Sequence, residues 1–374
     1  MSSKVYFANL RARGVHENKT SKIQRLFDAA DLGAVLAAGD LTAVKVHFGE
    51  RGNDTFVPPY HIRPLIDKIK GKSAKPFVTD TNTLYAGGRH NAVDHLETAA
   101  LHGFTREVLG APVLIADGLL GDNEKTVHIH KKHFAQAKIA GAIARAEAMI
   151  VVSHFKGHEL AGFGGAIKNL AMGCATGAGK RDQHSPRFFV KADVCVGCGE
   201  CENVCPEKAV ERRVMEDSDE IAMVIDKEKC IGCGECYIHC PEKAVDLDWR
   251  TEVPLFMEKM TEYAFAAVQG KQGKIGYVNF LVNITPDCDC LPWSDAPIIP
   301  DIGILASRDP VALDQACFDL ANQQIGLRDS KLCANFDAGG DKFIGLWGHT
   351  RPEIQLAYGE ELGLGCRSYE LIGI

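Results

Sequence analysis

The sequence predicts an α/β fold: a mostly parallel sheet with helices on both faces, interrupted by a smaller inserted α+β segment. Three observations carry that expectation. Strand-length apolar runs alternate with amphipathic helical stretches through the first 155 residues, as βαβ units do. The alternation resumes after about residue 250. Between them, residues 191–250 abandon the pattern and carry eight of the fourteen cysteines. The expected division is therefore 1–190 and 251–374 as two parts of one α/β domain, with 191–250 as the insert.

The elements follow in order. Strands are expected at KVYFANL (4–10), LTAVKVHFG (41–49), KPFVTDTN (75–82), APVLIADG (111–118) and AMIVVSHF (148–155), rich in the β-branched and aromatic residues that strands favour. Helices are expected at 20–36, 61–71, 90–103 and 134–147, the last from the alanine-rich FAQAKIAGAIARAE. After the insert come a helix near 254–270, strands KIGYVNFLVNI (274–284) and DIGILASR (301–308), and a helix opened by Asp309 and Pro310, an N-cap followed by proline in the first turn. Cys317, inside that helix, reads as a small core hydrophobe.

The insert holds two copies of one motif, CVGCGECENVCP and CIGCGECYIHCP, 35 residues apart and followed by PEKAVE and PEKAVD. The spacing C-x2-C-x2-C-x3-C-P resembles the bacterial ferredoxin run, in which the fourth cysteine ligates the other cluster. Cys195, Cys198, Cys201 and Cys240 are thus expected to hold one 4Fe-4S cluster, and Cys230, Cys233, Cys236 and Cys205 a second. Three cysteines within eight residues suit a cubane face better than the paired ligands of structural zinc. The glycines let backbone amides approach the sulfides, and Pro206 and Pro241 turn the chain away. The intervening segment reads as a hairpin around an acidic turn, so 191–250 resembles a complete two-cluster ferredoxin. It carries fifteen Asp and Glu against eight Lys and Arg, a net of −7, which leaves the remainder neutral. Such an acidic face would steer a redox partner with a basic docking surface.

Composition narrows the class further. There is no signal-like N-terminus and no apolar run long enough to span a bilayer, so a soluble, cytoplasmic protein without membrane partners is expected. Reduced thiols holding metal fit that setting better than disulfides. An acidic balance without a basic stripe speaks against nucleic acid.

Ligands of open α/β sheets bind beyond the carboxyl ends of the strands. Two strand ends there carry cations and imidazoles: Lys45 and His47 in AVKVHFG, and His154, Lys156 and His158 in SHFKGH. These five are the candidate catalytic group, expected to bind a small anionic ligand and deliver protons. The following ELAGFGGAIKNLAMGC is a glycine-rich turn into a helix, whose amides at Gly164 and Gly165, with Lys168 and Asn169, are expected to cradle an anionic substrate or cofactor. Cys288 and Cys290 of ITPDCDC, with Cys174, form a possible third metal site or a redox dithiol. MGCATGAGKRD is not a phosphate loop, because position 174 is Cys, position 181 is Arg, and the stretch follows a helix. His128 and His130 share a face of TVHIHKKH and could ligate metal, although the adjacent lysines suit a solvated strand.

The stretches SHFKGHELAGFGGAIKNLAMGC, FVTDTNTLYAGGRHNAVDHLETAALHGF, ITPDCDC and DIGILASRDPVALDQA together resemble the iron–sulfur branch of the family catalogued as domain of unknown function 362. The resemblance spans nearly the whole chain and implies iron–sulfur clusters without naming a substrate. The function expected from all this is an iron–sulfur oxidoreductase relaying electrons into the α/β crevice. The alternatives are an electron carrier or adaptor with a non-catalytic scaffold, and a non-redox lyase, isomerase or metal-handling protein whose clusters are structural.

Overall fold

The computed structural model describes residues 2–85, 87–184, 188–214, 221–230, 232, 234–247 and 249–374. Its centre is an eight-stranded sheet in the order Tyr369–Gly373, Ser3–Asn9, Gly303–Ser307, Ile275–Leu281, Ala148–His154, Leu41–Lys45, Lys75–Asp80, Val113–Ile115. From Ile275–Leu281 to Val113–Ile115 five strands run parallel. Gly303–Ser307 is antiparallel to both its neighbours, so the expected parallel sheet contains one reversed strand. The seven expected strands are present; the C-terminal edge strand Tyr369–Gly373, short and half-exposed, was not legible as one.

Successive residues of the central strands feed opposite cores, as the period of two requires. Ala43, Met149, Val151, Tyr277 and Leu305 pack with the helices Ala166–Cys174, Trp249–Val268 and Pro310–Asn322. Val44, Ile150, Val152, Val278 and Ile304 pack with Lys19–Ala29, Pro59–Gly71 and Ala92–Leu101 on the other face. Strands buried on both faces and near-continuous in apolar residues are what a parallel α/β sheet needs. Asp309 caps its helix through the amides of Val311 and Ala312, as expected, and Cys317 is fully buried in the core.

One expected helix is corrected. Of residues 134–147 only Gly141–Arg145 is helical; Gln136–Ala140 is a strand paired antiparallel with Glu124–His128. Ala137 and Ile139 point inward and are buried while Gln136 and Lys138 point out, a two-residue alternation concealed by alanine-rich composition. Among the described residues no helix is long and apolar enough to cross a membrane.

The cysteine-rich stretch folds as two matching halves. Phe188–Val190 pairs with Val245–Leu247, and Val210–Val214 with Ile221–Ile225. The acidic turn expected between the latter two, 215–220, lies outside the described residues, as does Cys233. Gly197 and Gly232, Gly199 and Gly234, and Lys208 and Lys243 take the same left-handed backbone at equivalent positions of the two repeats. Short helices Glu200–Asn203 and Glu235–Ile238 follow at matching places.

Candidate functional site

A cleft of about 420 Å³ opens at the carboxyl ends of the parallel strands. His47, His154, Lys156, His158, Gly164, Gly165, Lys168 and Asn169 all line it, so the structure brings both predicted segments together. Lys45 lies beneath the floor. Fully buried, its ammonium pairs with Asp80 at 2.9 Å and donates to Asn169 Oδ1 at 2.6 Å and to the Val46 carbonyl at 2.8 Å. Asn169 in turn donates to Val152 O and Ser153 Oγ, which ties the helix Ala166–Cys174 to the sheet. Gly173 is required by this arrangement, because a Cβ there would collide with the Lys45 ammonium.

Gly164 and Gly165 border the cleft, but the amides that open the helix after them are already taken. The amides of Ala166 and Ile167 each donate to the Asp314 carboxylate at 2.8 Å, and Asn279 completes its shell at 2.7 Å. The helix start therefore already holds an anion, supplied by the chain itself. A side chain at Gly165 would strike that carboxylate. Burial lifts the Asp314 carboxyl to about 6 despite the amide bonds that pull it down. The folded group keeps its proton to about pH 6, whereas an unfolded carboxyl releases it near about 4. Its stabilising share is therefore full below about pH 4 and lost as the pH rises to about 6, some two units or roughly 3 kcal/mol. Asp314→Asn should gain on the wild type by that amount between pH 4 and 6.5 in thermal unfolding. Parallel curves for the two proteins would rule this out.

His154 and Lys156 have a partner that the sequence did not suggest. His154 Nδ1 lies 2.9 and 3.0 Å from the two oxygens of Asp289, and its Nε2 lies 2.8 and 3.0 Å from the Val282 and Asn283 carbonyls. Both nitrogens face acceptors only, so both donate. Lys156 Nζ lies 3.1 Å from the other side of the same carboxylate and donates to His154 O. Asp289 is fully buried and stands between Cys288 and Cys290. Its carboxyl is held far below the usual range by His154 and Lys156, which outweigh its desolvation. The SHFK segment is thus a clamp on the CDC loop. On the loop's other side, Glu50 N donates to Asp289 O at 2.9 Å, and Tyr85 Oη to Cys290 O at 2.9 Å.

Held this way, Cys288 and Cys290 both line the cleft. Lys168 Nζ lies 3.6 Å from Cys288 Sγ. His158 Nδ1 accepts the amides of Leu160 and Ala161 at 3.1 Å, which puts its ring proton on Nε2. Pairing with Cys290 and the charges of Lys168 and Lys156 outweigh burial and hold the Cys288 thiol well below its ordinary range, while the same pairing pushes Cys290 up. Cys174 is not among the residues lining the cleft; buried in the core, its thiol is pushed up to about 11. The three cysteines expected to share a metal are therefore divided between core and cleft.

The opposite wall was missed by sequence reasoning. Arg89, 2% exposed, bonds Glu50 at 3.1 Å and Tyr85 Oη at 2.5 Å and approaches His47 Nε2 at 3.2 Å. Burial and the Arg89 charge lower His47 to about 3, so the ring is neutral. Lys180, the lysine of the discounted phosphate-loop look-alike, lines the cleft and donates to Thr81, Asn82 O and Ala175 O, with burial lowering it to about 8. Asp80, at the end of its strand as Lys45 is of its own, was the signal available for this wall. His128 and His130 have stacked rings 5.9 Å apart, and among the described residues no group of three side chains is set to hold a single metal ion.

The cysteine-rich segment reaches the cleft. Glu235 and His239, on either side of Cys236, line its wall together with His184. Within the segment, Cys195, Cys198, Cys201 and Cys240 line one small recess, and Cys205, Cys230 and Cys236 another. Backbone amides donate to the sulfurs of Cys195 (Met223, 3.5 Å), Cys205 (Ala209, 3.2 Å) and Cys240 (Ala244, 3.2 Å), the last two at equivalent repeat positions. Mutual repulsion among Cys195, Cys240, Cys198 and Cys201, added to burial, pushes the Cys201 thiol up to about 11. The donor set at that recess is four thiols, two of them, Cys195 and Cys240, already accepting backbone amides.

Comparison with known proteins places this geometry in a family. The family described as "Domain of unknown function (DUF362)" matches residues 42–319. No curated protein matches. Among solved structures, the lactate racemase apoprotein from Thermoanaerobacterium thermosaccharolyticum is similar at 13% identity and a TM-score of 0.38, over 75% of this chain and 51% of that one. A structural-genomics protein from Thermotoga maritima is similar at 9% identity and a TM-score of 0.34, over 72% of this chain and 52% of that one. The chain thus spans about half the length of each.

Proposed function

The chain belongs to the domain of unknown function 362 family, and we propose that it is an iron–sulfur oxidoreductase of that family's iron–sulfur branch. In this reading residues 191–250 are a two-cluster ferredoxin inserted between the two parts of the α/β domain, 1–190 and 251–374. Cys195, Cys198, Cys201 and Cys240 would hold one 4Fe-4S cluster, and Cys230, Cys233, Cys236 and Cys205 the other. Bound there, the clusters supply electrons singly to the cleft. The observation that carries the reading is the place of Glu235 and His239: the helix bearing Cys236 is itself cleft wall.

The surrounding residues have separable tasks. Amides of Ala209, Met223 and Ala244 stabilise thiolate sulfur. Lys168, His158 and Lys180 face the small ligand, with Lys168 the cation nearest to an anionic group on it, while Lys45, Asn169 and His154 position the floor. The acidic segment would draw in a basic one-electron donor protein. Anaerobically purified protein should carry roughly eight iron and eight sulfide per chain, and a potentiometric titration followed by electron paramagnetic resonance should show two one-electron reductions. Zinc in place of iron would overturn the ligand assignment. Iron that cannot be reduced would overturn the redox role.

A further inference from the structure

We propose that Cys288 and Cys290 are a redox-active dithiol that reduces a small-molecule disulfide bound in the cleft. Four features of the geometry converge on it. Both sulfurs border the same 420 Å³ space, a size that suits a small ligand and excludes a folded partner. They stand one residue apart on one anchored loop, and their pairing lowers Cys288 while it raises Cys290. The residue between them is anchored from beneath by His154 and Lys156, and the loop from its flank by Tyr85, which leaves the two sulfurs facing the cleft. Lys168 Nζ makes its 3.6 Å contact with Cys288 Sγ, which distinguishes an attacking sulfur from a resolving one.

The chemistry balances as follows. The Cys288 thiolate attacks one sulfur of the substrate, forms a Cys288–substrate mixed disulfide and expels the other half as a thiolate, which takes a proton to become a thiol. Cys290 then gives up its proton and attacks Cys288 Sγ, expelling the second half and leaving a Cys288–Cys290 disulfide. Two electrons and two protons restore the dithiol. The electrons arrive one at a time from a one-electron donor protein through the eight-cysteine segment, and this regeneration step rests on the proposed iron–sulfur function. A disulfide closed over a single intervening residue is strained, and strain makes a disulfide easier to reduce. The two cysteines were the least explained of the sequence motifs, and this use accounts for the clamp as well as the pair.

The test uses the cluster-loaded protein, reduced and freed of reductant, mixed anaerobically with the anionic aromatic disulfide bis(3-carboxy-4-nitrophenyl) disulfide. The wild type should release two equivalents of the coloured thiol in a fast phase and gain no adduct at residues 288 and 290, with mass spectrometry locating a Cys288–Cys290 disulfide. At neutral pH an ordinary thiol is only a few per cent thiolate, so the fast phase should exceed that of a free surface thiol by about tenfold, after allowing for the weaker nucleophilicity of a stabilised thiolate. Cys288→Ser should abolish the fast phase. Cys290→Ser should release one equivalent and keep the aryl adduct on residue 288. A fast phase that survives Cys288→Ser, or a stable adduct on Cys288 of the wild type, overturns the dithiol. A reduced viologen added afterwards should restore both thiols in the wild type. If exchange proceeds normally but the viologen restores nothing, the electron route is wrong and the dithiol stands; if exchange fails, the dithiol is wrong whatever the iron content.

Discussion

Replacing Asp289 with alanine should destabilise the protein by about 3–5 kcal/mol, the range for breaking a buried ion pair by removing one partner. Asp289 is fully buried and answers two donors, His154 at 2.9 Å and Lys156 at 3.1 Å, with side-chain exposures of 1% and 8%. Both side chains are more than nine-tenths buried, so the loss includes the desolvation of stranded donors as well as the missing attraction. The drop in melting temperature should be roughly 4–6 °C. Pairing Asp289→Asn with Lys156→Met should recover much of it, because the double variant removes the stranded cation along with the carboxylate, and a double-mutant cycle isolates the coupling. The same variants release the CDC loop, so the fast thiol phase should fall with stability in Asp289→Ala. An Asp289→Ala protein that melts like the wild type and keeps its fast phase would show that the clamp holds nothing.

The architecture was legible because strand and helix periods are local. Val44 and Val46, or Ile150 and Val152, declare a two-faced strand in five residues. Residues 134–147 misled because alanine suits a helix while the inward Ala137 and Ile139 obey a strand's alternation, and only pairing with Glu124–His128 decides between them. The place of the candidate site was legible too, since polar residues at strand ends mark the carboxyl edge of such a sheet. Partnerships were not. His154 and Asp289 are 135 residues apart, and Asp314 lies 148 residues from the Ala166 amide it occupies. No local pattern says that a glycine-rich helix start is already capped by a distant carboxylate, or that a cation at a strand end is spent on a buried aspartate. Lys45 and Lys156 therefore read alike in sequence, although Lys45 lies buried beneath the floor and Lys156 faces the cleft.

Cys240→Ala and Cys198→Ala should damage the same cluster, although one residue lies in the second cysteine repeat and the other in the first. The recess that contains Cys195, Cys198 and Cys201 is closed by Cys240, whereas Cys205 stands with Cys230 and Cys236. A quartet taken from one repeat alone would need Cys205 to face Cys195, yet its sulfur accepts the Ala209 amide in the other recess, as Cys240 accepts that of Ala244 in the first. In each variant iron should fall from about eight toward four per chain. The deciding readout is the intact cluster that remains. Its electron paramagnetic resonance signature and midpoint potential should be the same in Cys240→Ala as in Cys198→Ala, and different from those in Cys205→Ala and Cys236→Ala, which should match each other. If the survivor in Cys240→Ala instead matches that in Cys236→Ala, each repeat ligates its own cluster, and the crossed assignment fails while the iron content stands.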